Sequence, residues 1–461
     1  PYVAVKVPVF SFEKLNDVEG KIIVNVEESD YKAKVEAEIK KIGRTHSIPG
    51  FRKGHVPMGQ LVRMFGKQVK SDVLNQEVYE AVVKYIQDNK LGILGEPLPV
   101  DVKEISIEQK DFTFAYEIGL APAIEINLDK SVTLDYYPIK VSDEMAEQQD
   151  KMLRERFGKQ EPGQEFEERA LVKGVLMELN ADGTVKSDED AIQVTAGIVA
   201  PFLFKSKEEA AKFEGKKVGD KVVFNPSASC EGNVAELSSM LNIDKERAAE
   251  VKADFELAIS EIIVNRLAEY GQEFYDDVFG KDKVTSEEDY HKNVTAMIAA
   301  QLAPNSENLF QYTTEKALVE KYGNFELPAE FLKKWLVARN EGLTSENIDA
   351  EYEKMVPSIK WQLVKERVAQ QAGVKIEKED LENFAKAIAA QQLAQYGMYN
   401  LGDDVLADYA KRILEDKNSR SHIIEQVGDR KLFDAIKNLV TVDVKEVSLD
   451  EFKEIAEKAQ A

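Results

Sequence analysis

The chain has 461 residues, with 84 acidic against 61 basic side chains, a net charge of −23, 43% hydrophobic residues and one cysteine. That length predicts two to four domains of about 100–200 residues, and the acidity argues against general nucleic-acid binding, DNA included. The lone Cys230 allows no internal disulfide, no apolar run approaches the ~18 residues of a membrane helix, and Pro1–Phe10 lacks the charged start and apolar stretch of a signal peptide.

In chain order, Gly20–Glu27 (GKIIVNVE) alternates and is β-branched, which predicts a strand. Tyr31, Val35, Ile39 and Ile42 recur at helical spacing, and Gly43 closes that helix. A loop follows, Thr45 to Pro57. Pro57 suits the first turn of a second helix carrying Leu61, Val62, Phe65 and Val69. A third helix is predicted over 72–89, with Val73, Leu74, Val78, Val82 and Ile86 on one face. Leu98–Ile107 and Phe112–Ile118 read as strands. Residues 1–118 thus form a small α+β domain with the loop at its tip. Ala121–Lys140 is extended, Ser142–Phe157 is a charged helix, and Glu161-Pro-Gly-Gln164 breaks it, so 119–168 is a connector. From Arg169 the pattern turns to strands: one before and one after a turn at Asp182-Gly183, another in GKKVGDKVVFN, a last in FELAISEIIV. Ser227–Glu250 looks helical within this β-rich domain, 169–263. Residues 264–461 are mostly amphipathic helix, with candidates at 286–300, 305–322, 328–341, 346–371, 377–396, 403–417 and 419–440. A strand-like piece, Val440–Val447, precedes a terminal helix.

The loop carries the clearest chemistry. Gly50 and Gly54 permit angles closed to other residues, and Pro49 and Pro57 fix φ. Between them stand Phe51, Arg52 and Lys53. No Asp or Glu occurs from Ile39 to Ser71, a window holding Lys40, Lys41, Arg44, Arg52, Lys53, Arg63, Lys67 and Lys70. A stiff, exposed loop of this kind suits a partner that is anionic and partly apolar.

Gly50-Phe51-Arg52-Lys53-Gly54-His55-Val56-Pro57 is a complete match to Gly-Phe-Arg-x-Gly-x-x-Pro, and here the chain resembles the bacterial trigger factor family. The segments flanking this motif, and NFELPAEFLKKWL with the closing helices, are similar to the family as well. The resemblance implies an α+β multidomain fold: an N-terminal ribosome-binding domain, an FKBP-like middle domain and an all-helical C-terminal chaperone domain, the last lying between the other two so that the connector runs past it. It implies ribosome binding through Gly50, Phe51, Arg52, Lys53, Gly54, Pro57 and Arg44, at the tunnel exit where large-subunit protein and rRNA are exposed. It further implies unfolded and nascent polypeptides as clients, a homodimer off the ribosome, and a cytoplasmic location, with no membrane partner.

In the middle domain Phe202, Phe204, Phe213 and Phe224 are candidates for a proline pocket, with core packing as the alternative. IVAPFLFKSKEEAAKF stands where the family carries an Ile-Pro-Gly-Phe-Glu-like segment. Peptidyl-prolyl isomerase activity is therefore expected to be weak or lost. Twisting an amide needs an apolar pocket rather than ionisable groups, which keeps an active isomerase with a substrate-recruiting helical part as the rival reading. In the C-terminal part Phe331, Trp335, Met355, Trp361, Tyr396, Met398 and Tyr399 are candidates for a client cradle, or for helix-packing core. No metal-ligand spacing, phosphate-cradling loop or nucleophile motif occurs, so neither metal nor cofactor is expected, and client release must proceed without nucleotide.

Overall fold

The structure is a computed structural model that describes residues 8–398 and 401–461. Its N-terminal part contains β1 (Val9–Lys14), β2 (Glu19–Val26), α1 (Glu28–Thr45), α2 (Met58–Asp88), β3 (Ile93–Val100) and β4 (Phe112–Leu120). The antiparallel sheet runs β1-β2-β4-β3. Ile22, Val24 and Val26, on one face of β2, pack with Leu74, Val78 and Val82 of α2 and with Tyr116 and Ile118 of β4.

Two expectations change here. The second and third helices are one 31-residue helix, because the buried stripe from Leu61 and Val69 through Leu74, Val78 and Val82 to Ile86 runs unbroken and Lys70-Ser71-Asp72 contains no breaker. The strand expected at Leu98–Ile107 lies earlier, at Ile93–Val100, as an edge strand whose Pro97 and Pro99 need no ladder partner for their nitrogens. The residues after it form a loop held by Lys70, whose buried ammonium donates to the carbonyls of Ser106 (3.0 Å), Ile107 (2.9 Å) and Gln109 (2.5 Å).

Next come β5 (Thr133–Tyr136), α3 (Asp143–Arg156), β6 (Lys159–Gly163), β7 (Leu171–Glu178), β8 (Gln193–Val199), a 3-10 turn at Pro201–Leu203, α4 (Lys207–Ala211), β9 (Lys221–Phe224), α5 (Pro226–Ser229), α6 (Val234–Leu241), α7 (Lys245–Glu250) and β10 (Phe255–Arg266). The second sheet runs β6-β10-β7-β8, with β9 also on β10. The Glu161-Pro-Gly stretch, expected as a break, is strand β6, paired with β10 from Lys159↔Arg266 to Gly163↔Ile262. The strand expected after Asp182-Gly183 is reduced to a bridge, Leu179↔Val185. The helical reading of Ser227–Glu250 holds as α5, α6 and α7, with Leu237 and Leu241 of α6 in the sheet's core.

The remainder comprises α8 (Gln272–Phe279), α9 (Glu287–Tyr322), α10 (Ala329–Arg339), α11 (Ile348–Ala372), α12 (Lys378–Gln395), α13 (Asp403–Glu415), α14 (Lys417–Leu439), β11 (Thr441–Val444) and α15 (Leu449–Gln460). The helices expected at 286–300 and 305–322 are the single helix α9, which passes through Pro304. An interior proline costs ~3 kcal/mol; burial of Tyr290, Val294, Ile298, Leu309, Phe310 and Leu318 along the same helix offsets it.

Two compact units result. In one, the chain up to Asp135 is joined by Phe310–Gly397 and Leu401–Asp443. Within it α10 lies on the N-terminal sheet, Phe331 and Trp335 packing beside Leu94 and Leu98. The extended segment after β4 is strapped to the helices: Gln371 accepts from the Leu128 amide (2.9 Å) and donates to its carbonyl (3.0 Å), and Lys130 donates to the carbonyls of Asn438 and Val440. The other unit contains Tyr136–Leu309 with Val444–Ala461. In it the sheet of β6 to β10 has its own core, and Leu153, Phe274, Tyr275 and Tyr290 centre a second cluster formed by α3, α8 and α9.

Candidate functional site

The loop is set by the helices on either side of it. α1 and α2 pack through Ile39, Leu61 and Val69, and the tip is plugged by Ile48, 5% exposed in the same cluster. At Gly43 a β-carbon would stand 2.6 Å from Leu61 Cδ1, so glycine lets the helices approach closely. Two successive turns form the tip. The Phe51 amide donates to the Ile48 carbonyl (3.1 Å) and the His55 amide to that of Arg52 (2.9 Å). In each turn the third residue has positive φ, Gly50 at +87° and Gly54 at +82°. Pro49 in the second position of the first turn completes a type II pattern. The Gly54 amide donates back to the Gly43 carbonyl (3.2 Å), and the Pro57 carbonyl accepts from Gln60 and Leu61 to start α2.

Phe51 is left 40% exposed, with Arg52, Lys53, Gly50, Gly54 and Pro57 exposed around it. Arg44, in the last turn of α1, is exposed beside the loop's base. Among the described residues none of Arg44, Arg52 and Lys53 pairs with a carboxylate. Their neighbours differ: Lys41 pairs with Glu38 (3.7 Å), Lys67 with Glu104, and Lys70 is buried, where desolvation lowers its pKa against the pull of Glu28. The acid-free window thus contains structural as well as surface cations. The loop also sits at the N-terminus of α2, whose first turn carries no acid. The partial positive charge there adds to the field of the three cations. A helix start at Pro57 is already expected from the sequence; the structure adds that this helix runs unbroken to Asp88.

The four phenylalanines of the middle domain do not form one pocket. Phe204, Phe213 and Phe224 pack ring against ring with centroids 5.4–5.9 Å apart, Phe204 stacked on Phe224 and Phe213 edge-on to both, and Phe213 and Phe224 are fully buried. They close on each other as core. Phe202 is elsewhere, under the Arg169 guanidinium (5.0 Å), which also pairs with Glu155 (3.3 Å). Cys230 is buried too, and burial pushes its thiol pKa up, away from reactivity.

Nor do the cradle candidates converge. Phe331 is 2% exposed and Trp335 half-buried on the N-terminal sheet; Trp361 is buried and stacks on Phe433 at 6.0 Å; Met355 is half-buried on α11. Tyr396 (80% exposed) and Met398 (45%) remain open, and Tyr399 lies outside the described residues. Exposed Val405, Ile376 and Ile424 in the helical part had no distinguishing signal in the sequence, since amphipathic periodicity does not say which apolar face stays uncovered.

Three family models match along the chain: "Bacterial trigger factor protein (TF)" over residues 9–153, "Probable trigger factor, FKBP-like domain" over 160–267, and "Probable trigger factor, C-terminal domain" over 306–456. Among similar curated proteins, the trigger factor of Streptomyces avermitilis is 26% identical over 381 residues, covering 80% of each chain. That of Aquifex aeolicus is 24% identical over 455 residues, covering 92% of this chain and 85% of its own. A solved structure, "Promiscuous Substrate Recognition in Folding and Assembly Activities of the Trigger Factor Chaperone", covers 93% of this chain and all of that one at 17% identity, with a TM-score of 0.46.

Proposed function

The chain belongs to the bacterial trigger factor family, and from that premise we propose that it is a ribosome-associated, ATP-independent chaperone that docks near the tunnel exit through Phe51, Arg52 and Lys53 and shields nascent chains. The observation that carries the docking reading is the double turn that exposes one aromatic ring and two cations, neither of them paired with a carboxylate among the described residues. Arg52 and Lys53 neutralise rRNA phosphates or pair with acidic side chains of a ribosomal protein, while Phe51 anchors in an apolar niche. Gly50 and Gly54 keep the turns, Pro57 starts α2 and Arg44 widens the positive face. A cytoplasmic location follows from that partner, and no helix among the described residues is long and apolar enough to cross a membrane.

Replacing Phe51, Arg52 and Lys53 by alanine should abolish co-sedimentation with ribosomes. Stability should move within about ±0.5 kcal/mol per site, since nothing in the core rests on these side chains. Undiminished co-sedimentation of the triple variant removes the docking reading.

Isomerase activity is proposed to be weak or absent. The reason is the closed packing of Phe204, Phe213 and Phe224 on one another, which commits these rings to core rather than to a proline site. Refolding of a proline-limited protein should hardly accelerate when this chain is added. Robust acceleration would establish the rival reading, an active isomerase whose helical part recruits substrate.

A further inference from the structure

The FKBP-like sheet is reached and left by two chains that run side by side. β6 enters and the end of β10 leaves, paired from Lys159↔Arg266 to Gly163↔Ile262. Each chain carries a glycine where it meets the helices, Gly158 between α3 and β6 and Gly271 between β10 and α8. At Gly158 a β-carbon would stand 2.0 Å from the Arg266 carbonyl oxygen, so the two backbones touch there, whereas one at Gly271 would meet nothing within 4 Å. Beyond β10 the leaving chain is held by side chains of α3. Arg154 and Ala268 exchange two bonds: Arg154 Nε donates to the Ala268 carbonyl and the Ala268 amide donates to the Arg154 carbonyl, both at 2.8 Å. The Arg154 guanidinium also lies over the Tyr270 ring (4.6 Å). One turn earlier on α3, Asp150 accepts from the Tyr270 hydroxyl (2.7 Å) with one oxygen and from the Tyr290 hydroxyl of α9 (2.8 Å) with the other.

Apolar packing does not secure this joint on every side. A cavity of about 550 Å³ separates the paired chains from α8, lined by Phe157, Arg266, Leu267, Tyr270 and Phe274 among others. Lys159 and Glu273, both on its wall, pair at 3.6 Å with their side chains largely in water, where an ion pair holds little. Glu155 of α3 pairs with Arg169, just before β7 (3.3 Å), again partly exposed. The bond from Tyr270 to the Asp150 carboxylate is charge-assisted and so a stronger tie. Tyr290 is fully buried and stays within the helical cluster, but Tyr270 and Ala268 are only half-buried. When the leaving chain lifts from α3, its hydroxyl and peptide groups pass to water, so opening strands no deeply buried polar group.

We propose that Asp150, Arg154 and Tyr270 form a latch that fixes the orientation of the FKBP-like domain on α3 and α9, and that opening it lets the domain swing about Gly158 and Gly271. A hinge of this type turns at a few residues between elements while the bodies on either side keep their cores. One body here is the sheet with its core around Phe213, Phe224 and Leu257; the other is the cluster of Leu153, Phe274, Tyr275 and Val294. The device requires neither a ribosome nor a client, so it stands or falls separately from the chaperone reading.

The test uses the full chain with nitroxide labels at Ser187→Cys in the FKBP-like domain and Thr295→Cys on α9, both exposed positions; the native Cys230 is buried. With the latch intact the distance distribution should have a single maximum. Arg154→Ala combined with Tyr270→Phe should lose that single maximum, and hydrogen exchange at the Ala268 amide should quicken by about tenfold or more. A label pair within the domain, Ser187→Cys with Glu214→Cys, should report the same distance with and without the latch. A single maximum and a slow Ala268 amide in the double variant overturn the proposal, because packing then holds the joint unaided. A broad distribution with the latch intact overturns it as well, since the domain then swings regardless. So does faster exchange throughout α3, α8 and α9, which would make these side chains part of the core. Should the double variant fail to fold, Tyr270→Phe alone, which keeps the ring, decides by the same two readouts.

Discussion

Single residues in this chain carry roles that their type alone does not announce. Lys70 belongs by sequence to the basic window, yet it is a buried cross-link holding the loop after β3. Glu315 and Asp380 differ in the opposite way: both are acids on helices, and their environments move them in opposite directions. Burial holds the Glu315 carboxyl above the usual carboxylate range, with Lys365 opposing and Asp429 reinforcing the shift. A raised folded pKa means that its contribution to stability is full below the unfolded value of 4.5 and is lost as pH rises through the folded pKa. Asp380, held low by Lys431 and by the Glu377 amide, contributes above 3.8 and loses its contribution as pH falls through its folded pKa. Glu315→Gln should therefore raise Tm at neutral pH and flatten the decline of Tm above about pH 4.5. Asp380→Asn should lower Tm at neutral pH and remove part of the acid limb. Thermal melts across pH check both signs, and a Glu315→Gln curve parallel to that of the unaltered chain refutes the first.

At the scale of elements, the docking of α10 on the N-terminal sheet is one of the contacts that tie distant parts of the chain into one unit. Two glycines make room for it. A β-carbon at Gly119 would stand 2.7 Å from Phe331 and 2.9 Å from Pro328, and one at Gly95 would stand 3.0 Å from the Trp335 ring. The Phe331 amide donates to Glu19 (3.0 Å), while Lys334 pairs with Glu117 (3.4 Å) and Arg339 with Glu96. Gly119→Val should overpack this contact and cost about 1–3 kcal/mol. In a Trp361→Phe background Trp335 is the one remaining tryptophan, and its emission should shift to the red as α10 lifts. Unchanged emission and an unchanged urea midpoint would mean that the sheet yields without releasing the helix.

For the whole molecule, the two proposed binding activities should separate by their physics. The proposed docking through Arg52 and Lys53 would be a contact between exposed charges, so ribosome co-sedimentation should fall steeply between low salt and about 0.5 M, where the screening length is only a few ångströms. Client holding by apolar groups should change little over the same range. In the proposed function holding does not draw on nucleotide, and a client leaves as folding buries the segments that were recognised. Light scattering of an aggregating client should therefore show suppression that is independent of ATP and retained by the Phe51, Arg52, Lys53 triple-alanine variant. A requirement for ATP, or loss of suppression with the loop substitutions alone, contradicts this.

The exposed double turn proposed for docking was legible as a turn from residue types because its geometry is local. Pro49, Gly50 and Gly54 encode the two turns, and the absence of acids around them needs no distant partner to be noticed. The strands β2 and β4, the helices α1 and α10 to α14, and the family itself were likewise readable, since periodicity and contiguous motifs survive in one dimension. Long-range packing decided the rest. Whether Pro304 breaks a helix depended on the apolar groups buried along both halves of α9. Whether Glu161-Pro-Gly ends a helix or forms a strand depended on β10 being there to pair with it. Phe213 and Phe224, Phe331 and Trp361 carry the same apolar signal whether they line a pocket or fill a core, and only the neighbours brought to them by the fold distinguish the two. Charge behaves likewise: Arg52 and Lys70 are both cations in the sequence, and tertiary structure alone left the first in water and enclosed the second with three carbonyls.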